Sequence, residues 1–447
     1  MNHSLTVSEI IDKAPLSRYQ ITTVLLCGLV LVLDGFDTQS IGFLAPAMAE
    51  SLQVPVKTFG PVFAAALLGL MISSMTAGPI ADRLGRKWPI VTSTLIFATF
   101  ALITTSVSSL NQLMAYRFLT GLGLGGAMPN VVALTSEYAP KKLQQILVTM
   151  LFCGMPLGAF LGGIVSAVIL PIWGWRAVFY VGGILPIVVA LVLIKILPES
   201  IRFLALTSAD RTNADGILSR ISPGFVRGSV DYSISVDKLR TGVPFMYLFT
   251  QGRAVGTLLL WIPFFMNLLI LYFIVSWLPA LLLQTHMPLS GGIIAVSVFS
   301  LGGVVGSLLQ GRPMRAWGGF ATLLTEFVFC AILIRSLAVV TGFPLLIIVT
   351  FLLGIFVQGA QAGLNALAAT FYPTSIRSTG VGWALGLGRL GSIAGPVFGG
   401  IMMSLDWSAR QILAAGAIPA ILAAAAILAS HFLRSNTAYH LQADPDL

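Results

Sequence analysis

Gly78-Pro79-Ile80-Ala81-Asp82-Arg83-Leu84-Gly85-Arg86-Lys87 is a short polar loop between two long apolar runs, and it sets one acid and a turn glycine among three cations. Gly85 permits a tight turn, because glycine alone adopts positive φ without steric cost. Asp82 can then pair with the basic groups beside it or with a helix N-terminus, where a negative charge is favoured. Such a loop is a latch as well as a turn. Outward from it the chain is strongly apolar: of 447 residues 57% are hydrophobic and 9% charged, with mean hydropathy +0.93. A water-soluble domain of this length does not carry that composition, so the chain reads as an integral membrane protein.

Apolar runs of about 20 residues, punctuated by Gly, Pro and charge, place spans near 20–48, 59–81, 88–107, 111–137, 146–170 and 176–197. A second six follow near 254–284, 291–312, 319–341, 344–371, 377–403 and 409–433. With both termini inside, nineteen of the 25 Lys and Arg fall on the cytoplasmic side, as the positive-inside rule requires. Lys57, Arg176, Arg335 and Arg410 fall outside, and Arg117 and Arg389 within spans. The net charge of +9 therefore belongs with lipid headgroups rather than nucleic acid. Thr6-Val7-Ser8-Glu9 reads as a capping box opening a surface helix, and no cleavable signal is expected. Cys27, Cys153 and Cys330 lack metal-ligand spacing and read as small buried hydrophobes. No metal or cofactor is expected.

The two halves repeat. Pro140 and Pro373, like Pro186 and Pro419, are 233 residues apart, while Gly162-Gly163 and Gly399-Gly400 match at 237. The expectation is an all-α polytopic protein: an N-terminal six-helix bundle (1–197), a cytoplasmic linker (198–252) and a C-terminal six-helix bundle (253–447), with a site where the bundles meet. Gly121-Leu122-Gly123-Leu124-Gly125-Gly126 follows no strand and lies within a span, so it is helix packing rather than a dinucleotide loop. No phosphate-cradling loop ending in Lys-Ser or Lys-Thr occurs, which excludes an ATP-driven pump.

The residues also carry a family resemblance. The 78–87 loop resembles the signature loop of the major facilitator superfamily. Leu33-Asp34-Gly35-Phe36-Asp37, Arg117 to Gly126, Leu197-Pro198-Glu199-Ser200, Ser276-Trp277-Leu278-Pro279 and Tyr372-Pro373-Thr374 through Arg377 to Arg389 resemble its aromatic acid:proton symporter branch. The resemblance implies twelve helices in two pseudo-symmetric bundles. It also implies a monomeric transporter, not an enzyme, that imports benzoate-like or hydroxybenzoate-like carboxylates with protons through a bacterial inner membrane. One departure is that Arg312-Pro313-Met314-Arg315 replaces the usual second Asp-Arg loop after the eighth span.

The chemistry can be argued residue by residue. Asp34 and Asp37 sit inside the first span at i, i+3 spacing, one helix face, with Thr38 beside them. A charge at that depth costs roughly 2.5 kcal/mol on insertion scales, so it tends to be functional. None of the four histidines is placed to carry a proton: His3 and His440 lie in the tails, His286 and His431 at helix ends. Asp34 and Asp37 are the candidate proton carriers, ahead of Glu326, which is expected near the cytoplasmic mouth or in a structural pair; the alternative for the aspartates is a cap at Gly35 or a permanent arginine pair. Arg117 is read as their coupling partner or as a permanent neutraliser. Arg389, near mid-depth of the eleventh span, is the leading cation for a carboxylate substrate, the alternative again being permanent neutralisation of an acid. Gln358, Gln361 and Asn365 form a polar stripe on the tenth span that Asn267 can join, either to read a ring hydroxyl or as interhelical bonds. Phe36, Tyr272, Trp277 and Trp383 are available to a ring or to lipid. Gly78, Asp82, Arg83, Gly85 and Arg86, with Glu137 and Arg377, are assigned to the cytoplasmic latch. The rival functions are a proton-driven efflux antiporter, a proton-independent uniporter or receptor, and an importer of nicotinate-like or dicarboxylic acids.

Overall fold

In hydrocarbon the backbone must satisfy its own N–H and C=O groups, and a helix does this within one segment. The computed structural model describes residues 5–206, 211–222, 230–231, 245–250, 253–285, 287–340, 342–373 and 376–443. It is helical nearly throughout: α1 (Val7–Lys13), α2 (Arg18–Ser51), α3 (Gly60–Leu84), α4 (Lys87–Thr104), α5 (Leu110–Tyr138), α6 (Lys141–Phe152), α7 (Gly154–Ile196), α8 (Ile201–Leu206), α9 (Arg211–Ile221), α10 (Ala254–Gln284), α11 (Leu289–Leu309), α12 (Gly311–Trp317), α13 (Gly319–Leu337), α14 (Phe343–Phe371), α15 (Arg377–Ser404), α16 (Ala409–Ala415) and α17 (Ala417–Ala443). His3, His286, Arg227, Lys238, Arg240 and Thr374 lie outside the described residues, as do the side chains of Arg211, Arg434 and His440.

Eleven segments are long and apolar enough to cross a membrane, the longest being 141–205. That segment contains two spans, because α7 is broken at Gly174, where φ is +75°. Pro171 three residues earlier removes a helical donor, and the glycine tolerates the left-handed turn. Twelve spans result among the described residues. The expected fifth span, 146–170, begins in α6 and continues into α7 past Cys153, and the twelfth is split between α16 and α17. Beyond the spans, α1 opens on the expected capping box, in which the Thr6 N–H and hydroxyl both donate to Glu9 and hold its carboxyl below the usual range. Leu5-Thr6 pairs in parallel with Val230-Asp231. All three cysteines are free and buried.

The chain separates into two compact units. Unit 1 holds Met1–Ser40, Ala65–Gly162 and Ile169–Leu239, and unit 2 holds Ile41–Ala64, Gly163–Val168 and Arg240–Leu447. The end of α2 from Ile41, the start of α3 and a turn of α7 thus group with unit 2. The core of unit 1 gathers Val30, Leu31, Phe97, Leu124, Val131 and Tyr138, and that of unit 2 Trp261, Phe264, Leu323, Phe327 and Leu364.

Each unit repeats the other's helix contacts. In unit 1, Gly158 of α7 lies so close to the Val32 carbonyl of α2 that a Cβ would overlap it. In unit 2, Gly395 of α15 meets the Leu269 carbonyl of α10 in the same way; both residues are shifted by 237. Gly121 against Ala66 and Gly69 against Phe118 recur as Gly354 against Phe299 and Gly302 against Phe351, each shifted by 233. Small residues that let helices approach this closely are the usual means of packing without a hydrophobic driving force.

Candidate functional site

The scaffold repeats, but its polar chemistry does not. At the 237-residue offset Asp34 and Asp37 correspond to Leu271 and Ile274, and at 233 Arg117 corresponds to Thr350. The first unit alone therefore carries acids and a guanidinium at these positions.

α2 places Asp34 and Asp37 one turn apart, both 1% exposed, and α5 brings Arg117, fully buried, to meet Asp37. Arg117 Nη1 donates to Asp37 Oδ1 at 3.3 Å and lies 3.1 Å from Oδ2, while Nη2 donates to the Asp37 backbone carbonyl at 3.3 Å. Among the described residues Arg117 Nε finds no acceptor. Asp34 accepts from the Thr38 hydroxyl at 3.0 Å. The result is one buried ion pair with a second carboxyl a turn away on the same helix and an unspent guanidinium donor. Phe36, between the acids in sequence, packs against Gly162 and Gly182 of α7 instead of pointing with them.

The residues expected to form the latch include a network centred on Arg86. Its Nε donates to Glu137 Oε1 at 3.1 Å, Nη1 to Asn130 Oδ1 at 3.3 Å, and Nη2 lies 3.6 Å from the exposed Asp82. The carboxylate at the N-terminus of α4 is not Asp82 but Glu199, which accepts from the backbone N–H of Arg86 and of Lys87. Gly85 turns with φ +81°, and a Cβ there would run into the Glu199 carboxyl. Ser200 donates to Glu137, and Tyr138 donates to the Glu199 carbonyl at 2.8 Å. Asn130, Glu199 and Ser200 were not among the sequence candidates. The one signal for Glu199 was its place in Leu197-Pro198-Glu199-Ser200, just after the sixth span. Gly78 has open space around it, and Arg377, in unit 2, donates from Nε to the Tyr372 carbonyl at 3.4 Å.

In unit 2, Asn267 Nδ2 donates to Gln361 Oε1 at 2.9 Å and to the Val357 carbonyl at 3.1 Å, and Gln361 donates on to Asn365 at 3.4 Å. Among the described residues Asn267 Oδ1 is buried with no donor. Gln358 is turned away from this chain and lies against Gly303 of α11. Arg389 is partly exposed on α15, and its carbonyl accepts from Ser392. Tyr272 is 9% exposed. Trp277 is fully buried, donates to the Pro396 carbonyl at 2.8 Å and packs edge-on to Phe63 at 5.3 Å, so its polar group is already used. Trp383 is half exposed, stacks with Trp261 at 6.4 Å and packs at a tilt against Phe245 at 4.4 Å. Among the described residues no group of His, Cys, Asp and Glu is arranged to hold a metal.

A family model described as Major Facilitator Superfamily matches residues 27–343. The chain is 40% identical to the 4-hydroxybenzoate transporter PcaK of Pseudomonas aeruginosa over 95% of each chain. It is 35% identical to a gallate transporter of Pseudomonas putida over 96% of each. A solved structure of a bacterial homolog to the human lysosomal transporter Spinster aligns with TM-score 0.68 at 17% identity, covering 93% of this chain and 97% of that one.

Proposed function

Because the chain belongs to the major facilitator superfamily, a family of transporters rather than enzymes, we propose that it imports small aromatic carboxylates with protons, by alternating access. The observation that carries this reading is the buried Asp37–Arg117 pair with Asp34 beside it. Two carboxyls and one guanidinium leave a surplus negative charge in a low-dielectric site, which a proton can neutralise. Protonation of Asp37 would release Arg117 to a new partner, and deprotonation would draw it back; that exchange is the coupling step.

The substrate anion is assigned to Arg389, which stays charged and can grip two carboxylate oxygens. Gln361 and Asn365, already bonded in series with Asn267, supply donors and acceptors for ring substituents. The names of the similar transporters support an aromatic acid. The protein would sit in a bacterial inner membrane as a monomer, with both termini and the 82–87 latch in the cytoplasm, as the distribution of Lys and Arg requires.

Uptake of radiolabelled 4-hydroxybenzoate into proteoliposomes tests this reading. Acid outside and alkaline inside should drive accumulation above equilibrium. Accumulation under the opposite gradient would mean antiport, and uptake indifferent to either gradient would mean a uniporter.

A further inference from the structure

Glu326 is the one acid deep in a span that the proposed transport scheme does not use. It lies on α13 about 10 Å from the helix start, seven residues at 1.5 Å each, and is 7% exposed. Among the described residues no ion pair reaches it. Its partner is neutral: Gln310, itself 6% exposed, donates from Nε2 to Glu326 Oε2 at 3.3 Å. Both side chains seat against glycines of α14. A Cβ at Gly359 would touch Gln310 Oε1 and Glu326 Oε1, and one at Gly363 would overlap the Gln310 amide.

The repeat shows that this arrangement is particular to unit 2. At the 233-residue offset Gly359 corresponds to Gly126, and Glu326 to Ser93. In unit 1 the Ser93 hydroxyl does lie against Gly126. The same helix groove thus holds a hydroxyl in one unit and a carboxyl in the other. Beside the carboxyl is a cavity of about 210 Å³, lined by Gln310, Thr322, Thr325, Trp317 and Phe356 among others. A volume of this size admits water or a small reagent.

We propose that Glu326 is a proton-binding site of unit 2, separate from the Asp34–Asp37–Arg117 group, reached through this cavity. Among the described residues a bare carboxylate here is met by one neutral donor, the Gln310 amide. A carboxylic acid keeps the hydrogen bond from Gln310 Nε2 and needs no counter-charge. The groups around it that titrate or carry charge are few. Cys330 is buried one turn on along α13; Arg312 and Arg315 of α12, Arg335 at the far end of α13 and Arg410 of α16 are exposed; His431 of α17 lies beside Phe320. The faces of α11 and α14 that line the cavity carry no titratable group.

Dicyclohexylcarbodiimide, an apolar reagent that attacks protonated carboxyls, tests the assignment on the purified full chain in lipid nanodiscs. The acid O–H adds across one C=N bond: the carboxyl oxygen bonds to carbon, the proton goes to nitrogen, and an O-to-N acyl shift gives a stable N-acylurea with no leaving group. Peptide mass spectrometry at pH 7 should find the adduct on Glu326 and not on exposed Asp82, with the yield falling at least tenfold by pH 10. Thr325→Phe, which fills the cavity, should slow the labelling severalfold. Absence of the adduct at pH 7 from protein that is still folded, or a yield falling in step with that of Asp82, would overturn the proton site. An unchanged rate in Thr325→Phe would overturn the access route. Neither readout involves transport, so failure here leaves the reading of Asp37 and Arg117 standing, and the reverse holds as well.

Discussion

At the scale of the residue, Asp37 and Arg117 depend on each other, because removing one strands the other's charge in a buried site. Asp37→Asn should therefore lower stability by about 3–5 kcal/mol, the usual cost of breaking a buried pair. Adding Arg117→Gln should restore much of it, as a thermal melt in detergent would show. Arg389→Ala should leave the protein folded and abolish the stabilisation given by added 4-hydroxybenzoate; an undiminished shift would remove Arg389 from the substrate contact. The acids were legible in the sequence because ionised groups inside apolar runs are rare. Their partner was legible only as a set of alternatives, since Asp37 and Arg117 are 80 residues apart and nothing local aims one at the other. Trp277 and Phe36 were ambiguous for a related reason. An aromatic ring in a span fits lipid, core or substrate alike, and contacts from distant segments, Pro396 and Gly162, decide between them.

At the scale of the element, glycines set how closely helices approach. Gly158→Ala and Gly395→Ala should be comparably damaging, since each would push a Cβ into a carbonyl of the facing helix, whereas Gly78→Ala, with open space around it, should be neutral in folded yield. Gly85→Ala carries two penalties, a left-handed conformation worth about 1–2 kcal/mol and collision with Glu199, and should loosen the latch as measured by protease cleavage of the 82–87 loop. Helix existence was legible throughout because apolar length is a local property; α10 begins and ends where hydropathy placed it. The break inside α7 was placed only to within a few residues, because Pro171 and Gly174 both permit it and tertiary packing selects the glycine. Of the two partners open to Asp82, a basic group or a helix N-terminus, the first matches its 3.6 Å approach to Arg86; the anion at the start of α4 was not legible, because Glu199 reaches it from more than 110 residues further along the chain.

At the scale of the whole molecule, a duplicated scaffold carries unduplicated chemistry. The helix contacts recur at offsets of 233 and 237, yet the acids and Arg117 occur in one unit and Arg389 in the other. The sequence displayed the duplication through its prolines and glycines, but not the grouping of 41–64 and 163–168 with unit 2. The proposed scheme divides the labour in the same way, assigning the coupling proton to the ion pair of unit 1 and the substrate anion to Arg389 of unit 2. The most direct test is gradient-driven uptake by the paired variant Asp37→Asn, Arg117→Gln, whose lost charges cancel and whose fold is checked by its melt. With acid outside, the wild-type protein should accumulate 4-hydroxybenzoate above equilibrium and the paired variant should not; accumulation by the variant at the wild-type level would contradict the assignment of the coupling proton to this pair.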